Sequence, residues 1–150
     1  NDYYRQDFRV NLINRVQDHR QLAQVMNQTS CGFFPSRAEG WNLELLEMMA
    51  CGKPVVTTDY ASHTEVCTDD NSIKFKPNKF EEAIDNTYFK GGEGEWASLD
   101  DLKDNFVEAL RSLYKQWQTD RTILNQHGII TAQNLNWLNT AEKVKGAIND

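Results

Sequence analysis

From Phe33 to Glu65 the chain reads FFPSRAEGWNLELLEMMACGKPVVTTDYASHTE, and this stretch decides the fold. Cys31 to Phe34 is a short apolar run that Pro35 closes, because proline removes a donor from a strand's hydrogen-bond ladder. Asn42 precedes Leu43 to Ala50, an apolar, helix-favouring run that Gly52 terminates. Pro54 then opens the β-branched run Val55, Val56, Thr57 and Thr58, which predicts a second strand. A strand, a loop, a helix and a strand in this order aim the unpaired N–H groups of the helix's first turn into the crevice beyond the first strand's carboxyl end. Such a crevice accepts an anion.

The loop carries Glu39 and Gly40. Gly40 lets a ligand approach the backbone, and Asn42 is a strong N-cap type. Glu47 lies five residues past Asn42, about 7.5 Å further along the helix axis. Two carboxylates therefore flank the anion site. A diphosphate bridging a sugar and a ribose has the matching layout, because an ionised carboxylate accepts from two neighbouring hydroxyls at once. Each carboxylate repels the diphosphate, and Arg37 and Lys53 are the local cations that can compensate. Glu44 reads as a first-turn acid favourable to the helix dipole. Glu65 reads either as a ligand contact or as a cap on local backbone donors, and His63 as a surface or hydrogen-bonded residue more than a general base.

Outward from this core, Val10 to Ile13 predicts a strand running into the loop Asn14 to Asp18. Asp18 caps a helix carrying Leu22, Val25 and Met26. Beyond the loop from Asp59 to Asp70, Ile73 to Phe75 predicts a fourth strand, ended by Pro77. The alternation predicts an α/β domain, a Rossmann-like parallel sheet with helices on both faces. From Phe80 onward the expectation is helix, interrupted by a surface turn at Gly91, Gly92 and Gly94. Leu99, Leu102, Phe106, Leu110, Leu113 and Trp117 form one apolar stripe at helical spacing. Trp96, Trp117 and Trp137 are expected to pack the helical part or an interface with a further domain. No internal repeat divides the chain, so residues 1–150 read as one domain.

A net charge of -6 argues against a protein that neutralises a nucleic-acid backbone. No apolar run approaches the roughly 20 residues that span a bilayer. Cys31, Cys51 and Cys67 fit neither a disulfide framework nor paired zinc ligands and read as free thiols in a reducing compartment. His19 and His127 lack companions at ligand spacing, so no metal is expected. The chain opens at Asn1 without a charged-then-apolar leader, and the expectation is a soluble, cytoplasmic protein with an upstream piece missing.

Glu39 and Glu47, with seven residues between them, resemble the E-x7-E pair of the GT-B retaining glycosyltransferases of family four. The order Pro35, Ser36, Glu39, Gly40, then Leu46, Glu47, Ala50, Gly52, Pro54, Val55 and Val56 is similar to that family's donor motif. More weakly, Asn136, Trp137 and Ala141 resemble its closing helix, so the likeness covers most of the chain. Trp41 and Asn42 stand where the family often has Phe and Gly, and Ala61 and Ser62 where it often has a Gly-Gly pair before Glu65. The resemblance implies the second, donor-binding domain of a GT-B fold, N-terminally truncated, with a helical C-terminal part.

By the same resemblance, Glu39 is the catalytic residue at the transferred sugar. Gly40, Trp41, Asn42 and Leu43 hold sugar and phosphate, and Glu47 binds the ribose. Arg37, Arg15 and Val16 are candidates for phosphate or base contact. The implied activity is hexosyl transfer from a nucleotide diphosphate sugar to an unknown acceptor hydroxyl, with retention, no cofactor and no metal. The implied partners are the nucleotide sugar and a missing N-terminal domain, without which the fragment is inactive and through which it could sit at a membrane. The rival readings are a non-catalytic α/β nucleotide-binding or interaction scaffold and a GT-B sugar-nucleotide epimerase. A GT-B phosphorylase is disfavoured because no lysine sits in a pyridoxal-phosphate motif.

Overall fold

The computed structural model describes residues 9–149. Helix α1 (His19–Gln28) starts where Asp18 accepts the Arg20 N–H at 2.9 Å, as the cap residue predicts. Strands β1 (Gly32–Phe34), β2 (Val55–Thr58) and β3 (Ile73–Phe75) form a parallel sheet in the order β1-β2-β3. Phe33 pairs with Val56, and Val56 with Ile73. Between β1 and β2 runs α2 (Leu43–Ala50), and between β2 and β3 the short α3 (His63–Val66).

Residues alternate across the strands, so each face of the sheet meets its own helices. Phe34 and Val55 pack with Leu45, Leu46, Met48 and Met49 of α2 and Met26 of α1. On the opposite face, Phe33 and Phe75 both meet the ring of Phe106, with centroids 5.0 and 4.1 Å apart. Phe106 belongs to α4 (Leu99–Thr119), whose apolar stripe buries Leu102, Phe106 and Leu113 while Leu99 stays exposed. The fold is thus α/β with a parallel sheet and helices on both faces. Helices α5 (Gln126–Asn134) and α6 (Trp137–Asn149) follow, and α5 packs on α2 through Ala132.

Gly52 ends α2 as its position predicts. Its φ of 69° lets the Gly52 N–H reach Met49 O and the Lys53 N–H reach Met48 O, the paired closure of a helix by a left-handed residue.

Two expected elements differ. Val10 to Ile13 is not a strand: Val10, Leu12 and Ile13 are exposed, and the outer edge of β1 has no neighbour among the described residues. An apolar run becomes a strand only when another strand completes its hydrogen bonds. The second correction is at Phe80, where the sequence predicted helix. Strands β4 (Phe80–Ile84) and β5 (Lys90–Ala97) instead form an antiparallel hairpin, with a register irregularity between Glu82 and Ile84. Gly91, Gly92 and Gly94, expected in a surface turn, lie inside β5 at φ of 101°, 78° and 156°. Asp85 gathers the N–H groups of Thr87, Tyr88 and Phe89 onto one oxygen and fixes the turn.

Among the tryptophans, Trp117 stacks on Tyr114 and under Arg121, whereas Trp137 stands 89% exposed and is not packed into the helical part. Cys31, Cys51 and Cys67 are free thiols, and burial pushes the thiols of Cys31 and Cys67 up. No described helix is long and apolar enough to cross a membrane.

Candidate functional site

The loop from Pro35 to Asn42 leaves the carboxyl end of β1 and delivers the chain to the amino end of α2. Asn42 adopts φ 64° and ψ 71°, a left-handed conformation open to glycine and tolerated by asparagine. Its carboxamide oxygen accepts the Leu45 N–H at 3.1 Å. Of the two adjoining positions where the likeness has glycine, Ala61 is also left-handed, at φ 54°, whereas Ser62 is right-handed, at φ -62°. At Asn42 and Ala61 the backbone is one that favours glycine, and this chain adopts it without glycine.

Capping fixes which way the Asn42 amide points, so its nitrogen must donate to His63 Nε2, 2.9 Å away. His63 Nε2 therefore accepts and carries no proton. Nδ1 keeps the proton and donates toward Thr58 O at 3.1 Å, with Thr57 Oγ1 at 2.8 Å. His63 is fully buried, and burial lowers its pKa against the raising effects of the Thr58 carbonyl and the Glu39 charge. A neutral imidazole thus joins the carboxyl end of β2 to the cap of α2. The sequence reading allowed His63 a hydrogen-bonded place but not this joining role. A signal was present: the middle strand of a parallel sheet buries both faces, so Thr57 and Thr58 need polar partners nearby.

Glu39 is half-buried, its Oε1 accepts from Ser36 Oγ at 2.6 Å, and its carbonyl accepts the Ser62 N–H at 3.4 Å. The Ser62 hydroxyl is buried without a partner among the described residues. The backbone N–H groups of Gly40, Trp41, Asn42 and Leu43 have no hydrogen-bond partner among the described residues. A Cβ placed on Gly40 would meet nothing within 4 Å, so the space above this residue is open. Trp41 and Leu43 are exposed, whereas the Asn42 side chain is spent on Leu45 and His63.

Beside Glu39 and Gly40 lies a cleft of about 830 Å³. One wall is the 36–40 run, and the other is the hairpin, through Ala83, Phe89 and the 93–96 run. Glu47 does not line it. It is half-buried one turn beyond the exposed Leu43, on the outer stripe of α2, opposite Leu45, Leu46, Met48 and Met49.

Neither local cation is free for an anion. Arg37 donates through Nε to Ala97 O at 2.7 Å, pairs with Glu81, and lies 4.3 Å over the Trp96 ring. Lys53 follows the carboxyl end of α2, a helix about 12 Å long, and donates to Asn27 O at 2.8 Å. Arg15 and Val16 lie in an irregular segment, Arg15 exposed, and neither lines the cleft.

A family model described as glycosyl transferases group 1 matches residues 3–88, more than half of the chain. The chain belongs to the glycosyl transferases group 1. No curated protein matches it. The match takes in the sheet, the Glu39 loop and α2, and it ends inside the turn of the hairpin. Membership of this group, with a parallel sheet whose carboxyl edge opens on the Glu39 loop, points to a glycosyltransferase-related, nucleotide-sugar-binding function.

Proposed function

We propose that residues 1–150 are the donor-binding domain of a retaining GT-B glycosyltransferase of family four, the second of two domains. The observation that carries this reading is the pairing of Glu39 and Gly40 at an open cleft with unpaired N–H groups from Gly40 to Leu43 at the start of α2. In this reading the backbone donors hold the diphosphate and stabilise it as it leaves with the nucleotide, which is electrostatic preorganisation in place of a metal ion. Glu39 takes hydroxyls of the transferred hexose. Glu47, on the outer stripe of α2, takes the ribose, so the nucleotide runs along the helix away from the hairpin.

Because Arg37 and Lys53 are engaged, the cations that offset the diphosphate come from outside this domain, from the N-terminal domain that also presents the acceptor. The domain alone binds the donor weakly and transfers nothing, and the whole enzyme works in the cytoplasm or at a membrane surface through its other half. Arg15 and Val16 are base contacts only if the 9–18 segment moves toward the outer stripe of α2.

Calorimetric titration with UDP, GDP and ADP and their hexose conjugates tests the reading, comparing the chain with Glu47→Ala. Selective binding of one base, weakened about tenfold by Glu47→Ala, is the expected result. Equal affinity in both proteins removes Glu47 from the ribose. A second reading, a binding scaffold without turnover, draws support from the same engaged cations. An assay for hexose release by the protein carrying both domains separates the two.

A further inference from the structure

The hairpin wall of the cleft has no part in the donor reading above. Its sequence from Lys90, KGGEGEWA, is poor strand material, and its register sets Glu82 directly opposite Glu95, a like-charge pair that costs stability. Local choices that oppose the fold concentrate at functional sites. What the hairpin presents to the cleft is an apolar corner, Phe89 and Trp96 at 74° with centroids 6.0 Å apart, beside two carboxylates. Phe89 is 43% exposed. Glu93 is tied to the Lys90 N–H, whereas the Glu95 carboxylate has no partner among the described residues.

The only cation on the lining, Arg37, is already held by Glu81, Trp96 and Ala97. Carboxylates without a free cation repel phosphate, so the occupant that fits is neutral, rich in hydroxyls and apolar on one face. A pyranose ring has this chemistry: its C–H face packs on aromatic rings and its hydroxyls donate to carboxylates. The volume lies within the roughly 300–1,000 Å³ of small-molecule sites.

We propose that the hairpin is the sugar-recognising wall of the site, with Phe89 and Trp96 receiving the apolar face of the donor's hexose while Glu95 and Glu39 take its hydroxyls from opposite sides. This rests on the donor-binding reading and adds to it the residues that recognise the sugar. Tyr60, which donates to Glu95 O at 3.0 Å and packs on Phe80 at 4.9 Å, ties the hairpin to the loop after β2.

The test is calorimetry of this chain with UDP, GDP and ADP against UDP-glucose, GDP-mannose and ADP-glucose. For the base that binds, the hexose conjugate is expected to bind about tenfold more tightly than the bare diphosphate. Phe89→Ala brings that ratio to about one and leaves the bare diphosphate unchanged within about twofold, while Phe89→Tyr keeps the ratio. Glu95→Gln lowers the ratio in part. If the conjugate and the bare diphosphate bind wild type equally, or if the ratio survives Phe89→Ala, the hairpin is not the sugar wall and the nucleotide reading stands. A loss of both affinities in parallel on Phe89→Ala, with Phe89→Tyr no better, makes the ring structural and overturns the proposal. Failure of every nucleotide and conjugate to bind wild type removes the donor reading and this inference together.

Discussion

The loop that carries Glu39 rests on a buried network of Asn42, His63, Thr57 and Thr58, whereas the hairpin facing it is fastened at the surface by Arg37, Tyr60 and the Asp85 turn. Buried polar networks are expensive to break, because each orphaned donor or acceptor keeps its full desolvation cost. Surface ties each contribute little and open on their own. One wall of the cleft is thus fixed to the sheet and the other can adjust.

The sharpest way to break the comparison is at the fixed wall. His63→Ala removes a fully buried ring and orphans the Asn42 amide, and a loss of about 3 kcal/mol or more is expected in urea denaturation. Its pH dependence has a definite sign. The folded pKa of His63 is lowered by burial, so the unfolded chain binds the proton more readily. Stability from the neutral ring is therefore complete above the unfolded value near 6.5 and is lost as pH falls through the folded value. Denaturation midpoints from pH 8 to pH 5 should fall in wild type, by no more than about 1.4 kcal/mol per pH unit for one proton, with a shallower fall in His63→Gln. Parallel profiles in the two proteins would place the titration elsewhere.

Asn42 separates conformation from hydrogen bonding within the same wall. Asn42→Ala loses the cap, forces a Cβ into a left-handed backbone and orphans His63 Nε2, for about 2 kcal/mol or more. Asn42→Gly keeps the conformation and costs less, and thermal melting that ranked glycine below alanine would contradict the backbone account. At the adjustable wall, Arg37→Met keeps the apolar stem but loses the ring contact, the Glu81 pair and the Ala97 bond. Its global effect is expected near 1 kcal/mol, because the Arg37 and Glu81 side chains are 28% and 50% exposed. Amide exchange should rise in β4 and β5 while the amides of α2 and β2 keep their protection.

How far these differences could be read from sequence follows the same division. The fixed wall was legible because its signals are local: Pro35 closes a strand, Asn42 opens a helix, Gly52 ends it, and Val55 to Thr58 cannot avoid being a strand. The hairpin was not, since Glu81, Glu82 and Ala83 favour helix and three glycines suggest a turn. What makes them strands is pairing with each other and anchoring by Arg37 and Tyr60, contacts formed by residues far away in the chain. Val10 to Ile13 failed in the opposite direction, with strong strand propensity and no neighbour to use it. Glu39 and Gly40 lie on the loop before α2, as the order of elements predicts, and line the cleft, while Glu47 does not, and the engagement of Arg37 and Lys53 depended on tertiary contacts that spacing does not encode.

The smallest stability effect belongs to Gly40, and it separates what the fold requires from what a ligand requires. Its φ lies outside the left-handed region, and an added Cβ finds open space, so nothing in the unliganded chain demands glycine there. Gly40→Ala should therefore change the urea midpoint by an amount within about 0.5 kcal/mol. If the diphosphate fills that open space, as the donor reading has it, the added methyl competes with it, and nucleotide affinity should drop by about tenfold or more. A protein that lost stability but kept affinity would show glycine serving the loop. The expected outcome, affinity lost from an intact fold, would show that the open space over Gly40 is where the ligand's charge is received.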